Sequence, residues 1–128
     1  MQNNTIEVKL INSPTLKYVD WAIGECHDKG CINDEQKMLE RIDRVANQHR
    51  HTSVLEFCEY LFHARALSHD ELNSYIVKFL IDPHISIKIQ SETEILVALN
   101  ARVLKEKNLP EIFYENLPEE HKFLYEER

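Results

Sequence analysis

Residues Leu55–Ala66 read Leu-Glu-Phe-Cys-Glu-Tyr-Leu-Phe-His-Ala-Arg-Ala, and this stretch decides the fold class. From Cys58 onward, apolar and polar residues alternate, so one face is apolar and the other carries charged side chains. Successive side chains of a strand point to opposite faces, and a half-buried strand therefore shows this period of two. The stretch predicts a long strand whose apolar face, including Cys58, lies in a hydrophobic core.

Two further alternating stretches, Glu7–Ile11 and Ile85–Ile89, predict short strands. Between and after the strands, apolar residues at helical spacing follow capping residues, which predicts helices. The predicted caps are Ser13 with Pro14, Asn33 with Gln36, Ser68 with Glu71, and Ser91 with Glu94. Gly30 and Asp82-Pro83 are predicted to end the first and third of these helices. The last predicted helix carries Ile95, Leu96, Leu99 and Val103, with Asn100 and Arg102 inside it. The pattern indicates an α+β protein, with a small, mostly antiparallel sheet packed with helices in one domain, 1–128.

Composition excludes several classes of function. The chain has 128 residues and a formal net charge of −7, and such a surface repels nucleic acid because non-specific binding depends on cations that neutralise phosphates. No apolar run is long enough to span a bilayer, and the polar start does not resemble a signal peptide. Three scattered cysteines do not suggest disulfides. We therefore expect a cytoplasmic protein that binds neither nucleic acid nor membrane.

Several histidines and cysteines, which are common zinc ligands, lie close together in the sequence. Cys26, His27 and Cys31 lie close in sequence, and His49 and His51 form a second pair. Their spacing fits none of the usual structural zinc patterns, so no metal ligand is assigned.

Three pieces of the sequence together resemble a known enzyme family. They are the turn His51-Thr52-Ser53-Val54-Leu55-Glu56-Phe57, the element Asn100-Ala101-Arg102, and the ending Tyr114–Leu124. They resemble the flavin-dependent thymidylate synthases, in which a helix leads into a His-x-Ser/Thr-x-x-Glu-His turn and then a long strand. Phe57 stands where that turn has its final histidine.

The resemblance implies roles for individual residues, each with a simpler alternative. His51 and Ser53 would approach a flavin, or they satisfy backbone groups in a tight turn. Asn100 and Arg102 would contact flavin adenine dinucleotide (FAD), or Arg102 lies on a solvated helix face. The substrate, deoxyuridine monophosphate (dUMP), would contact Ser86, Lys88 and Ser91, although Ser91 is equally explained as a helix cap.

Glu56 begins the predicted strand, and the sequence leaves open whether its side chain is buried. A buried carboxylate needs a partner. We expect Arg102 or His51 to supply it.

The sequence also departs from the family pattern. The family's Arg-His-Arg triplet falls on Ile81-Asp82-Pro83, and several dozen residues that normally follow the position of Ser91 are missing, so the central part of the fold is shortened. Arginines grip phosphate through charge-assisted hydrogen bonds of about 1.5–3 kcal/mol each. Losing several of them predicts much weaker nucleotide binding, and no catalytic residue is assigned.

The leading hypothesis is a shortened synthase homologue without full dUMP methylation. It would act as an oligomeric flavin- or nucleotide-binding or protein-interaction module, with FAD binding weak or lost. The family implies a homo-oligomer, tetramer or dimer, with the Tyr18/Trp21 side of the first helix as a remnant interface. In a small genome such as that of a phage, the chain could also join the oligomer of a complete homologue.

Two alternatives remain open. The first is a working synthase that uses FAD, NADPH and methylenetetrahydrofolate to convert dUMP to dTMP. In it, Lys78, Lys88 and Arg102 would replace the missing arginines. The second is a purely structural or binding protein without a small ligand.

Overall fold

A four-stranded antiparallel sheet forms the centre of the protein, with strand order β1-β2-β4-β3. The computed structural model describes residues 6–26 and 34–126. The strands are β1 (Ile6–Leu10), β2 (Glu59–Ala66), β3 (Ser86–Ile89) and β4 (Glu94–Asn100). The predicted α+β class with a small antiparallel sheet is confirmed, and β2 and β4 are its two central strands.

Helical segments make up most of the remaining described chain. The α-helices are α1 (Lys17–Cys26), α2 (Glu35–Ile42), α3 (His69–Tyr75), α4 (Ala101–Glu106) and α5 (Glu111–Glu115). Both α2 and α3 continue as wider π-helical turns, over Asp43–Gln48 and Ile76–Leu80. A first 3₁₀ helix covers Thr52–Phe57 and a second covers Glu119–Leu124. Within the described ranges, no helix combines the length and apolar character needed to cross a bilayer.

The core lies on one face of the sheet, where β2 supplies the face predicted from its alternation. Tyr60, Phe62 and Ala64 of β2 are buried, as is Cys58 immediately before the strand. The ring of Phe62 meets that of Phe113 edge-on, with centroids 5.0 Å apart. Burial raises the pKa of the Cys58 thiol to about 11, so the thiol stays protonated at neutral pH. The prediction that Cys58 is a core residue is confirmed.

The helix predicted to begin at Ser91 is wrong, because Glu94–Asn100 is a strand. Ile95, Val97 and Leu99 alternate on the buried face, and β4 pairs with both β2 and β3. Spacing alone was ambiguous here, because Ile95, Leu99 and Val103 also fit a helical stripe. The pairing with two neighbouring strands decided the outcome, and residues 90–93 form the hairpin turn instead of a cap.

Some of the other predicted helix boundaries are confirmed and others are not. Ser68 caps α3 by accepting a hydrogen bond from the Glu71 amide at 3.2 Å, and the helix ends before Asp82, both as predicted. The first helix begins at Lys17, later than predicted. Asp34 caps α2 by accepting from the Lys37 amide, whereas the predicted signals Asn33 and Gly30 lie outside the described residues.

A buried ion pair fixes α1 against α2. The Arg41 Nη2 atom lies 2.7 Å from Asp20 Oδ1 and donates to the Asp20 carbonyl oxygen at 2.9 Å, and both side chains are buried. Buried charges require this degree of pairing, because each loses its hydration. The pair therefore sets which face of α1 points outward.

Candidate functional site

The first 3₁₀ helix places two of the predicted flavin residues at the surface. Arg50 has a positive φ of 55°, which redirects the chain after the π-helical turn. The His51 amide then donates to the Val45 carbonyl at 2.9 Å. Val54 and Leu55 are buried and anchor the helix, while the His51 and Ser53 side chains are exposed. Both residues are thus available to a ligand, as their predicted roles require.

Asn100 lies at the junction between β4 and α4. Its Oδ1 accepts a hydrogen bond from the Val103 amide at 3.0 Å, so Asn100 is the N-cap of α4. The prediction that Asn100 lies inside a helix is therefore wrong. The next amide, that of Ala101, donates to the Cys58 carbonyl at 2.8 Å. Asn100 also lies opposite Glu59 in the sheet register. The Asn-Ala-Arg element is therefore held beside the start of β2, and we call this edge the Asn100 end of the sheet.

Arg102 joins the two family-like elements. Its Nη1 lies 3.5 Å from Glu56 Oε2, and its Nε donates to Glu106 Oε1 at 3.1 Å. Thr52 also donates to Glu106 Oε1, at 2.7 Å. The structure therefore brings the His51–Phe57 turn and the Asn100–Arg102 element together. Of the two expected partners of Glu56, the structure provides Arg102, and the Glu56 side chain is exposed.

These contacts set the electrostatics of the Asn100 end. The hydrogen bond that Arg102 donates to Glu106 is the main cause that raises the pKa of Arg102, and the negative charge of Glu106 adds to it. The hydrogen bond from Thr52 is the main cause that lowers the pKa of Glu106, and Arg102 adds to it. Arg102 is therefore a cation already flanked by two carboxylates, and an anionic ligand would have to compete with them.

The three predicted substrate residues do not converge. Ser86 lies opposite Ala98 and Lys88 opposite Leu96, so both point to the sheet face away from the core, and both are exposed. Ser91 lies in the hairpin, where its Oγ donates to Glu94 Oε2 at 3.3 Å and accepts from the Thr93 amide. At about 3.3 Å per strand residue, Ser91 is on the order of 15 Å from Ser86. Its predicted role as a helix cap is wrong, since it stabilises a turn.

The corner Ile81-Asp82-Pro83 presents a carboxylate. Asp82 Oδ1 accepts from the His84 amide at 2.8 Å, and Oδ2 lies 3.1 Å from Lys107 Nζ. The bond from the His84 amide is the main cause that lowers the pKa of Asp82, and Lys107 contributes further. Asp82 is consequently ionised at neutral pH.

Lys78, one of the proposed substitutes for arginine, is exposed and lies over the Phe79 ring at 5.2 Å from its centroid.

The structure also contains a groove that no motif indicated. It lies between α1 and the first 3₁₀ helix and has a volume of about 800 Å³. Its residues are Asn12, Ser13, Pro14, Thr15, Tyr18, Trp21, Ala22, Glu56, Phe57 and Glu59. The resemblance implied that the Tyr18/Trp21 side of the first helix is a remnant interface, but the opposite wall of the groove, which includes Phe57, comes from a distant part of the sequence. Tertiary structure alone creates this groove.

The architecture defines the class of protein as an α+β domain with the fold of the flavin-dependent thymidylate synthases. A crystal structure of Thymidylate Synthase X (ThyX) from Helicobacter pylori with FAD and dUMP matches 94% of this chain and 97% of that chain, with a TM-score of 0.70 and 18% sequence identity. A second structure of ThyX from Helicobacter pylori, also complexed with FAD and dUMP, matches 94% and 98% of the two chains, with a TM-score of 0.59 and 19% identity.

At these identities the likeness concerns the fold, and the resemblance predicted from the sequence is confirmed at that level. No family model and no curated protein matches the chain.

Proposed function

We propose that this chain is a shortened homologue of the flavin-dependent thymidylate synthases that binds flavin weakly at the Asn100 end and does not methylate dUMP. The observation that carries the proposal is the joining of the His51–Phe57 turn to Arg102 through Glu56, together with the carboxylate at Asp82. The first feature supports a remnant flavin site. The Asp82 carboxylate disfavours binding of a nucleotide phosphate by charge repulsion.

The residues present fit a flavin only in part. FAD carries polar ring atoms and a pyrophosphate, and bound FAD would supply redox chemistry. His51 and Ser53 offer exposed polar side chains to the ring atoms, and Arg102 offers one guanidinium to a phosphate. The Oδ1 of Asn100 is already occupied by capping α4. Because Arg102 is shared with Glu56 and Glu106, the expected affinity for FAD is low.

The charges around the corner Ile81-Asp82-Pro83 disfavour binding of dUMP more strongly than the Asn100 end disfavours binding of FAD. A phosphate dianion near Asp82 would meet a second negative charge, and the nearest described cation, Lys107, already neutralises that carboxylate. Lys88 lies on the outer sheet face and Ser91 at the far hairpin, so a single chain does not surround a nucleotide with these groups.

We propose that the chain forms a homo-oligomer in the cytoplasm, in keeping with the resemblance. The outer face of the sheet carries both signs of charge around half-buried apolar residues, Leu61 and Leu96 among them. A face of this kind can pair with a copy of itself or with the matching face of a complete homologue. Co-expression with such a homologue, followed by purification through a tag on one chain, tests mixed assembly. Failure to co-purify would remove that part of the proposal.

The flavin site is tested by titrating the purified protein with FAD and following flavin fluorescence. We expect weak saturable binding that Arg102→Ala reduces severalfold. Arg65→Ala is the matched control, because Arg65 is an exposed arginine that pairs with Glu7 away from this site. Equal binding by both variants and the unchanged protein would rule out a site at Arg102.

The loss of methylation is tested separately with dUMP tritiated at carbon 5, in the presence of FAD, NADPH and methylenetetrahydrofolate. We expect no release of tritium above background. Release by the isolated chain would establish a working synthase and overturn this part of the proposal, whatever the affinity for FAD.

A further inference from the structure

The groove between α1 and the first 3₁₀ helix has three exposed aromatic side chains on its walls. Tyr18, Trp21 and Phe57 are 56%, 52% and 58% exposed, although each is large and apolar enough to gain from burial. Tyr18 and Trp21 are one turn apart on α1, and Phe57 ends the first 3₁₀ helix on the other side. Clustered exposed aromatics of this kind are typical of binding sites.

The walls are held in place before any ligand arrives. Asn12 donates from Nδ2 to the Glu59 carbonyl at 3.0 Å and accepts at Oδ1 from the Leu61 amide at 2.9 Å, which fixes the loop at the base of the groove to β2. On α1, the buried pair of Asp20 with Arg41 keeps the opposite face of the helix pointing outward. The aromatic side chains therefore project from rigid elements, which lowers the entropic cost of binding.

The charge of the groove is negative. Glu56 and Glu59 line it, and among the described residues that form its walls there is no lysine or arginine. A contact of this groove with the same groove of a second copy would bring the carboxylates of both copies together, which repulsion disfavours. The net charge of −7 adds to this effect. A cationic occupant from a different protein fits these charges best.

We propose that this groove binds an arginine side chain presented by a basic segment of a partner protein. A guanidinium is planar, stacks on aromatic faces and forms paired hydrogen bonds with a carboxylate. Trp21, Tyr18 and Phe57 supply the faces, and Glu59 supplies the carboxylate. Glu56 is already paired with Arg102, so Glu59 makes the main ionic contact.

Trp21 is the single tryptophan of the chain, so its fluorescence reports directly on occupancy of the groove. The full chain is titrated with a short peptide of alternating arginine and glycine, and with matched peptides carrying citrulline or lysine. Citrulline keeps the shape of arginine without its charge, and lysine keeps the charge without the planar group. We expect a saturable change with the arginine peptide, weaker binding with lysine, and none with citrulline.

Two variants locate the interaction. Glu59→Gln is expected to weaken binding of the arginine peptide about tenfold, because a charge-assisted hydrogen bond is lost. Phe57→Ala is expected to weaken it about threefold through loss of one aromatic face. Val77→Ala is the control, since Val77 is also exposed but lies on the continuation of α3 outside the groove.

Three results would overturn the proposal. They are equal affinities for the arginine and citrulline peptides, equal affinities for arginine and lysine, and binding that Glu59→Gln leaves unchanged. Circular dichroism of each variant shows whether it is folded, and a folded variant with unchanged affinity counts against the site. FAD binding is followed through flavin fluorescence, so a failure of the arginine site is distinguishable from a failure of the flavin site.

Discussion

The Nη1 atom of Arg102 lies 3.5 Å from the Oε2 atom of Glu56, and this contact joins two stretches that are distant in sequence. Arg102 belongs to the Asn-Ala-Arg element and Glu56 to the turn before β2. The contact places the candidate flavin residues at one end of the sheet, and it also surrounds the available guanidinium with negative charge. Both consequences lead to measurable expectations.

Removing a carboxylate next to Arg102 is expected to improve the binding of FAD. Glu106→Gln deletes the charge that contacts Nε of Arg102 and frees the guanidinium for a phosphate. Affinity for FAD, measured by fluorescence titration, should rise about threefold, the size of effect typical of an exposed ion pair. Glu40→Gln, another exposed glutamate on a helix, should leave the affinity unchanged. A fall in affinity for Glu106→Gln would mean that Glu106 supports the site.

Breaking the buried ion pair is expected to destabilise the protein strongly. Arg41→Ala leaves the Asp20 carboxylate buried without its guanidinium, and such changes cost about 3–5 kcal/mol. Urea denaturation measures the free energy of unfolding. The exposed Arg44→Ala on the same helical segment should change it by less than about 0.5 kcal/mol.

The double variant Asp20→Leu with Arg41→Met provides a further control. It removes both charges at once and keeps apolar volume in the interior, so it should recover much of the lost stability. A double variant as unstable as Arg41→Ala would show that the cost arises from packing and not from the unpaired charge.

Acid is expected to weaken the attachment of the second 3₁₀ helix. His121 is buried, with Nδ1 2.8 Å from the Tyr60 hydroxyl, which also bonds the Tyr125 hydroxyl at 2.8 Å. Burial lowers the pKa of His121 below its usual 6.5, only partly offset by the charge of Glu120. The unfolded chain therefore binds a proton at a higher pH than the folded chain does. Stability should be fully present above about pH 6.5 and fall as the pH drops towards the lower folded pKa.

Comparison of two variants checks this assignment. The free energy of unfolding is measured across the acidic range, and His121→Gln should reduce its dependence on pH. His69→Gln changes an exposed histidine and should preserve the dependence. An unchanged slope in folded His121→Gln would assign the acid sensitivity to other groups.

Two phenylalanines of opposite exposure should behave differently when truncated. Phe62 is fully buried and meets Phe113 edge-on, so Phe62→Ala should lower the free energy of unfolding by about 3–5 kcal/mol. Phe57 is exposed in the groove, and Phe57→Ala should cost less than about 0.5 kcal/mol. Thermal or urea denaturation of both variants provides the measurement. A large loss of stability in Phe57→Ala would show that its ring supports the fold.

Much of the fold was predictable because local patterns and burial agree. The strand predicted over Leu55–Ala66 begins only at Glu59, because Thr52–Phe57 is a 3₁₀ helix, but the alternation correctly predicts the buried face of β2. Ser68 caps α3 as its sequence context predicts. The central strand β4 was missed because its apolar residues satisfy both a helical and a strand spacing. Hydrogen bonds to two neighbouring strands make this segment a strand. Local spacing does not predict these bonds, because β4 pairs with β2, which is far away in the sequence.

The candidate site was predictable as a set of residues but not as an arrangement. Motif resemblance indicated His51, Ser53, Asn100 and Arg102, and their roles toward a flavin remain predictions. It gave no sign that Arg102 would contact Glu106 as well as Glu56. It also could not show that Ser86 and Ser91 lie at opposite ends of the same hairpin.

The sequence by itself determined the α+β class and the buried face of β2. These follow from local periodicity and residue chemistry. Only the tertiary structure decided that Arg102 is held between two carboxylates and that Tyr18, Trp21 and Phe57 form one groove. The physical reason is that electrostatic and packing environments depend on distances in space, which strand pairing and helix docking set.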